Sequence, residues 1–140
     1  MKLKVIGSIC VLLFVLIIFS CQSDGSIEFK RYYSGGIIVY QNHCQNCHGE
    51  KGEGLSSLIP PFTDTAYLKA NLASLACKIN YGLKGKITVS GKDFYGEMPA
   101  ANLTPIEIAQ ALTYVTNSFG NKLGIITVDE VNADLNKCEN

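Results

Sequence analysis

The sequence predicts a mainly helical, all-α domain, and three local patterns support this class. Apolar residues, chiefly leucines, recur at spacings of three and four from Asp64 to Tyr81, as they do along one face of a helix in one or two pieces. A capping box with proline at the first helical position runs from Thr104 to Glu107, and Gly120 is expected to end that helix. A second box, from Thr127 to Glu130, predicts a short extra helix through about Asn136.

Two further elements have weaker signals. A first helix is expected from about Phe29 to Tyr40, although Gly35 and Gly36 each cost roughly 1 kcal/mol of helix propensity relative to alanine. Glycines inside a helix suggest close approach by another helix. In the long connection before Thr104, strand-like residues flank a Ser-Gly-Lys turn and predict a small hairpin near residues 87–95.

Residues 1–20 are predicted to be an export signal of the lipoprotein type. A positive start precedes an uncharged run from Val5 to Phe19. As a helix this run would span roughly 22 Å, short of a ~30 Å hydrocarbon core, so a cleaved signal is favoured over a membrane span. Ser20-Cys21 resembles the end of a lipobox, which makes Cys21 the candidate lipidation site. An uncleaved anchor and ordinary signal cleavage are the alternatives, and all three place the domain outside the cytoplasmic membrane, on the periplasmic or cell-surface side.

Residues 21–30 are expected to form a tether between the lipid and the domain, and residues 31–140 the domain itself. Loss of the signal removes two lysines, which leaves ten basic and twelve acidic side chains and a formal charge of −2. A charge this weak argues against a nucleic-acid partner and against strong electrostatic steering of any partner.

The pentapeptide from Cys44 to His48 indicates the chemistry. Two cysteines separated by two residues and followed at once by histidine form the attachment signature of c-type haem. The thiols of Cys44 and Cys47 add to the two vinyl groups on one edge of the ring, and His48 binds the iron from one face. A structural zinc site usually has four protein ligands, yet the chain has only one other histidine, His43, and no second close cysteine pair. A thioredoxin-like redox pair would want a βαβ setting, which the residues before the motif do not predict.

Met98 is the candidate for the opposite axial position. Met1 would be lost with the signal, so Met98 is the remaining methionine, and Pro99 favours an extended backbone there. A lone methionine is more often core filler. His43 competes poorly because it adjoins the proximal side, and we read it as a surface residue. Ligation by His48 and Met98 would raise the reduction potential and leave no open iron site, which favours electron transfer over catalysis.

Cys77 and Cys138 remain once the signal, lipid and haem cysteines are assigned. An even pair in an oxidising compartment predicts a disulfide that joins the C-terminal extension to the middle of the domain. In the chain-entropy model a loop of this length contributes about 4 kcal/mol. Two buried free thiols are the alternative.

Together these residues resemble a class I c-type cytochrome, and more narrowly its small membrane-anchored bacterial members. The resemblance covers roughly Arg31 to Asn121. It implies a compact all-α fold in which the first and last core helices cross near one haem. Gly36 and Tyr40 match the family's crossing residues on the first helix, and Tyr114 matches the aromatic residue on the last.

The same resemblance implies further residues around the haem. The carbonyl of Pro60, or of Pro61, is expected to accept the Nδ1 proton of His48. The chain has no tryptophan, so Tyr95, Tyr81 or backbone amides are expected to replace the indole that many relatives direct at a haem propionate. Three apolar residues are expected to wall the haem: Leu58, Ile59 and Phe62.

These inferences predict a one-electron carrier with one covalent low-spin haem c. Its partners would be a redox donor and acceptor among exported or membrane respiratory complexes, with a lipid anchor and no small-molecule substrate. A cytochrome subunit of an oxidase, reductase or dehydrogenase is the first alternative. A thiol–disulfide oxidoreductase using Cys44 and Cys47 and a ligand-binding haem sensor are the others.

Overall fold

The computed structural model describes residues 5–7, 11–12, 14 and 24–138. The predicted lipidation site Cys21, and Cys10 in the predicted signal, lie outside these residues. In the part of the chain that is described, no helix has the length and apolar character needed to cross a membrane.

Between residues 24 and 138 the chain forms five helices and one two-stranded hairpin, which confirms the all-α class. The strands pair antiparallel with Ile87 opposite Phe94, so the predicted hairpin is present. The elements in chain order are α1 (Asp24–His43), α2 (Gln45–His48), α3 (Thr65–Tyr81), β1 (Ile87–Val89), β2 (Lys92–Phe94), α4 (Pro105–Val115) and α5 (Val128–Leu135).

Helix α1 is longer than the sequence predicted, because residues 24–28, which were expected to belong to the tether, are helical. Asp24 is the first described residue of this helix. Phe29 stacks on Tyr33 four residues later, with ring centroids 5.7 Å apart. Side-chain pairs at this spacing on one helix stabilise it. The small polar composition of residues 24–28 is therefore compatible with a helix.

Helix α4 ends at Val115, so the prediction that Gly120 ends it is wrong by several residues. Thr116 turns its hydroxyl back to donate to the Leu112 carbonyl at 2.7 Å. Asn117 donates to the Thr113 carbonyl at 2.7 Å. Such side chains compete with the backbone for helical hydrogen bonds and favour an early end.

Helices α1 and α4 cross as the resemblance implied. A Cβ on Gly36 would collide with the backbone carbonyl of Gln110 and lie 2.6 Å from Tyr114 Cβ, so only glycine permits this approach. Beside it, the rings of Tyr40 and Tyr114 meet with centroids 5.2 Å apart, tilted by 53°. Ile108 of α4 is fully buried in the core that this crossing organises.

The C-terminal extension folds back onto the domain. Cys77 and Cys138 form the predicted disulfide, which joins α3 to the residues after α5. Val131 of α5 is buried against the core. The Thr113 hydroxyl accepts from the Ile126 amide at 3.0 Å and donates to its carbonyl at 3.1 Å, which fixes the approach to α5.

Candidate functional site

The cysteine pair and His48 are positioned by a break between two helices. The Cys44 amide still donates to the Tyr40 carbonyl at 2.9 Å, and the His48 amide donates to the Cys44 carbonyl at 2.9 Å, so one tight turn presents both thiols and the imidazole. The hydroxyl of buried Tyr40 donates to the Gly49 carbonyl at 2.6 Å and fastens the end of this turn to α1. The side chains of Cys44, Cys47 and His48 therefore face the same region of the molecule.

That region is a largely apolar cleft of about 180 Å³. It is walled by the motif, by the segment that follows it, by α3 and α4, and by the hairpin with the chain after it. Apart from the two tyrosines suggested for a propionate, Tyr95 and Tyr81, every residue predicted to bind the haem or its iron lines the cleft: Cys44, Cys47, His48, Pro60, Phe62 and Met98. Leu58, Ile59 and Pro61 line it too.

His48 is held as a buried, neutral imidazole. It is 8% exposed, and its ring stacks on Phe62 with centroids 4.1 Å apart and planes 19° apart. Burial lowers the pKa of His48, and the Pro60 carbonyl partly opposes this by favouring the protonated ring. Among the described residues Nδ1 has no hydrogen bond of good distance and angle, so Pro60 is its near neighbour rather than a formed acceptor. Neutral imidazole is the form that binds iron.

Cys44 and Cys47 are both free thiols, Cys44 half-buried and Cys47 exposed. Burial, with the adjacent Cys47 adding to it, raises the pKa of Cys44 to about 11. A thiol–disulfide oxidoreductase needs the opposite, a nucleophilic cysteine with a lowered pKa. The surroundings of this pair therefore argue against that alternative.

Met98 reaches the cleft from an extended segment, as its following proline predicted. It pairs with Leu83 in an isolated antiparallel bridge, with the Leu83 amide 2.7 Å from the Met98 carbonyl and the reverse bond at 2.9 Å. Gly82 adopts φ +79°, and a Cβ there would lie 2.9 Å from the Ala100 amide nitrogen. Absence of a side chain at Gly82 lets the methionine segment approach the end of α3.

The hairpin closes the cleft against the turn that follows the motif. The Gly96 amide donates to the Leu58 carbonyl at 3.0 Å, and the Tyr95 amide donates to the Ser57 carbonyl at 3.2 Å. A Cβ on Gly96 would collide with the Leu58 carbonyl. Three segments far apart in the sequence, the motif, the turn and the methionine segment, thereby surround one space.

The structure does not place Tyr95 at the site. Phe94, the last residue of β2, is buried and lines the cleft. Tyr95, which follows the strand, is 64% exposed and does not line the cleft. Tyr81 is also exposed and does not line the cleft. Neither tyrosine is in position to replace an indole there.

Two polar residues of α3 that the sequence analysis missed line the cleft instead, Tyr67 and Lys78. They lie eleven residues apart, close to three helical turns, and so share a face with the apolar stripe of α3. The apolar spacing predicted a helix face, and the polar side chains of Tyr67 and Lys78 beside that face are the sequence signal for these two lining residues. His43 is exposed, as predicted, and contributes to the rim of the cleft.

The residues of the cleft fit a covalently attached haem. Two free thiols, a buried neutral imidazole and a thioether from another segment converge on an otherwise apolar space. This is the donor set that haem c takes: two sulfurs for its vinyl groups and a nitrogen and a sulfur for its iron.

Comparison with known families agrees with this geometry. No curated protein matches the chain. The model of the cytochrome c family matches residues 35–118, more than half of the chain, from the middle of α1 through the cysteine motif and Met98 to the turn after α4. The chain belongs to the cytochrome c family, whose members bind covalent haem c and transfer electrons.

Proposed function

We propose that this protein is an exported one-electron shuttle in which Cys44 and Cys47 hold the haem while His48 and Met98 bind its iron. The single observation that carries the proposal is the convergence of these four side chains on one apolar cleft. Membership of the family supports electron transfer in general. The ligand assignment and the role as a free shuttle are the proposal.

Haem, once bound, supplies a one-electron iron couple, and the protein's contribution is to position and tune it. Phe62 stacks on the His48 ring and limits its rotation. Pro60 lies where its carbonyl can accept the Nδ1 proton, which would make the imidazole a more electron-rich ligand. The thioether of Met98 favours ferrous iron and so raises the potential.

Electrons would enter and leave at the rim of the cleft near Cys47. Cys47 is exposed, and Leu58 at the rim is 53% exposed, whereas the opposite side of the cleft is covered by α3 and α4. A partner that docks at this rim comes closest to the ring. The partners we propose are membrane respiratory donors and acceptors, reached by a chain tethered through a lipid on Cys21.

An intact-mass measurement with a visible spectrum of the mature protein tests this function. We expect one covalent haem, sharp bands on reduction, and a lipid-modified N-terminus at Cys21. Replacing Cys44 and Cys47 together by serine should abolish covalent colour. The control, Cys21→Ser, should lose the lipid and keep the haem. Colour that acid–acetone extraction removes from the wild-type protein would contradict the proposal.

Co-purification separates a shuttle from an enzyme subunit. Gentle extraction of the native protein should yield the cytochrome free of a stoichiometric catalytic chain. A constant ratio to an oxidase, reductase or dehydrogenase chain through two purification steps would contradict the shuttle and support the subunit.

A further inference from the structure

Lys78 brings a positive charge to the wall of an otherwise apolar cleft. Its side chain is half-buried and lines the cleft beside Ile79. The ammonium nitrogen is 3.4 Å from the Tyr67 hydroxyl oxygen and 3.3 Å from Asn71 Oδ1, and it lies 5.4 Å from the centroid of the Tyr67 ring. These partners are neutral, so they orient the ammonium without compensating its charge.

Asn71 holds this arrangement in place. Its Nδ2 donates to the Tyr67 carbonyl at 2.9 Å, which leaves Oδ1 directed at Lys78. The three residues lie on one face of α3, so the helix itself sets their spacing. Asn71 does not line the cleft and is a positioning residue.

Within the described residues no carboxylate pairs with Lys78. The ion pairs formed between residues 24 and 138 use three other lysines, Lys84, Lys86 and Lys137, whose side chains are 54–83% exposed. The acidic residue that lines the cleft, Glu97, is paired with Lys84 at 3.0 Å. A partly buried cation is costly to leave uncompensated, so a cation that faces a cleft indicates an anionic group on the ligand of that cleft.

We propose that Lys78 and Tyr67 form a carboxylate-binding subsite that takes a propionate of the haem. The subsite rests on the proposed function, because it requires haem in this cleft. The cysteines take the vinyl groups, so the propionates remain free for polar contacts. An ammonium and a phenol hydroxyl supply the charge-assisted and neutral hydrogen bonds that a carboxylate accepts. Lys78 and Tyr67 would thus make the propionate contacts that the sequence suggested for Tyr95 or Tyr81.

The subsite would also set the reduction potential. A fixed positive charge near the iron disfavours the oxidised state, which carries one more positive charge than the reduced state. Removing the charge of Lys78 should therefore lower the potential. Lys69 offers a matched control, because it lies on the same helix, carries the same charge and is exposed.

The test compares Lys78→Met with Lys69→Met in the mature, haem-containing protein by spectroelectrochemical titration at low and high salt. We expect Lys78→Met to raise the ratio of oxidised to reduced protein at fixed potential by about threefold to tenfold. At 59 mV per tenfold change this is a fall of roughly 30–60 mV. High salt screens exposed charges more than buried ones, so the Lys78→Met shift should persist at ~1 M salt while that of Lys69→Met disappears.

Tyr67→Phe keeps the ring and removes only the hydroxyl. We expect a smaller fall in potential, with the haem still covalently bound. A potential unchanged by Tyr67→Phe would overturn the part of the subsite assigned to Tyr67. If Lys78→Met does not mature, Lys78→Gln with Lys69→Gln repeats the comparison with polar replacements.

Two results would overturn the subsite as a whole. One is equal shifts in the Lys78 and Lys69 variants, and the other is a Lys78 shift that vanishes at high salt. In both cases the wild-type haem is intact, so the proposed function survives. A wild-type protein without covalent haem overturns the proposed function and the subsite together.

Discussion

The cleft has two sides that are built differently. On one side α1 and α4 cross with the Gly36 backbone against the Gln110 carbonyl, and Tyr40 and Tyr114 pack beside the crossing. On the other side, the turn after the motif, the hairpin and the Met98 segment are held by a few backbone hydrogen bonds, such as that from Gly96 to Leu58. The first side depends on close packing, where small changes in volume are costly. The second depends on chain geometry, so changes there should affect the ligands more than global stability.

The largest effect on stability is expected from the disulfide that joins α3 to the C-terminal extension. Cys77→Ser with Cys138→Ser should lower the free energy of unfolding by about 2–4 kcal/mol, because the unfolded chain loses its long closed loop. Urea unfolding measures this change. The spectrum should be unchanged, because neither cysteine lines the cleft. A reduction potential that moves with the double variant would show that the extension also positions the ligands.

A smaller loss is expected from Gly36→Ala at the helix crossing. The new methyl group meets backbone and the Tyr114 Cβ, which cannot move independently of α4. Overpacking of this kind costs about 1–3 kcal/mol, measured as a shift in the urea midpoint. Gly35→Ala is the control, because its methyl group meets only the flexible end of the Gln110 side chain. Equal losses in the two variants would refute the packing argument.

The other side of the cleft is tested by Gly82→Ala, with Gly85→Ala as its control. Both glycines have positive φ, so both variants incur a backbone strain of about 1–2 kcal/mol. Only at Gly82 does the new Cβ meet the Met98 segment, while at Gly85 it meets open space. We expect Gly82→Ala alone to change the visible spectrum and lower the reduction potential. Identical spectra for the two variants would show that Gly82 does not position Met98.

Met98→Leu tests the role of Met98 as an iron ligand separately from its contribution to stability. Leucine keeps the apolar volume, so the free energy of unfolding, measured by urea unfolding, should change by less than about 1.5 kcal/mol. Loss of the thioether should lower the potential and open the iron to an added ligand such as imidazole. A variant with the wild-type spectrum and potential would contradict the axial role of Met98 and revive the ligand-binding sensor.

The smallest effect is expected at Asp64, which joins the start of α3 to the hairpin. Hydrogen bonds from Ser90, and then from the Tyr67 amide, lower the pKa of Asp64. Because the pKa of Asp64 is lower in the folded than in the unfolded state, its ionised carboxylate stabilises the fold. This contribution is fully present above the unfolded pKa and is lost as the pH falls through the folded pKa. In urea unfolding at a series of acidic pH values, the free energy of unfolding of Asp64→Asn should fall less steeply with decreasing pH than that of the wild-type protein. Ser90→Ala should show the same change to a smaller extent. An unchanged pH dependence in Asp64→Asn would exclude this contribution.

Much of the molecule follows from local sequence. The Cys44 to His48 spacing, the capping boxes at Thr104 and Thr127, and the hairpin each depend on neighbours within a few residues, and the structure has these elements where they were expected. The pairing of Cys77 with Cys138 was also predictable, because few cysteines remained once the others had been assigned. The resemblance to class I c-type cytochromes matched Gly36 to the crossing, and glycines inside a helix by themselves suggested only close approach by another helix.

Tertiary structure decided the rest. The exposed position of Tyr95 depends on how the segment after β2 packs, with the Tyr95 amide on the Ser57 carbonyl, and no local pattern specifies this contact. Tyr67 and Lys78 reach the cleft because α3 packs with that face toward it, a rotation set by contacts with α4 and α5. Sequence alone determined which chemical groups the chain can offer a haem. Packing between distant segments determined which of them face it, because a side chain's direction depends on the neighbours against which its helix or strand is buried.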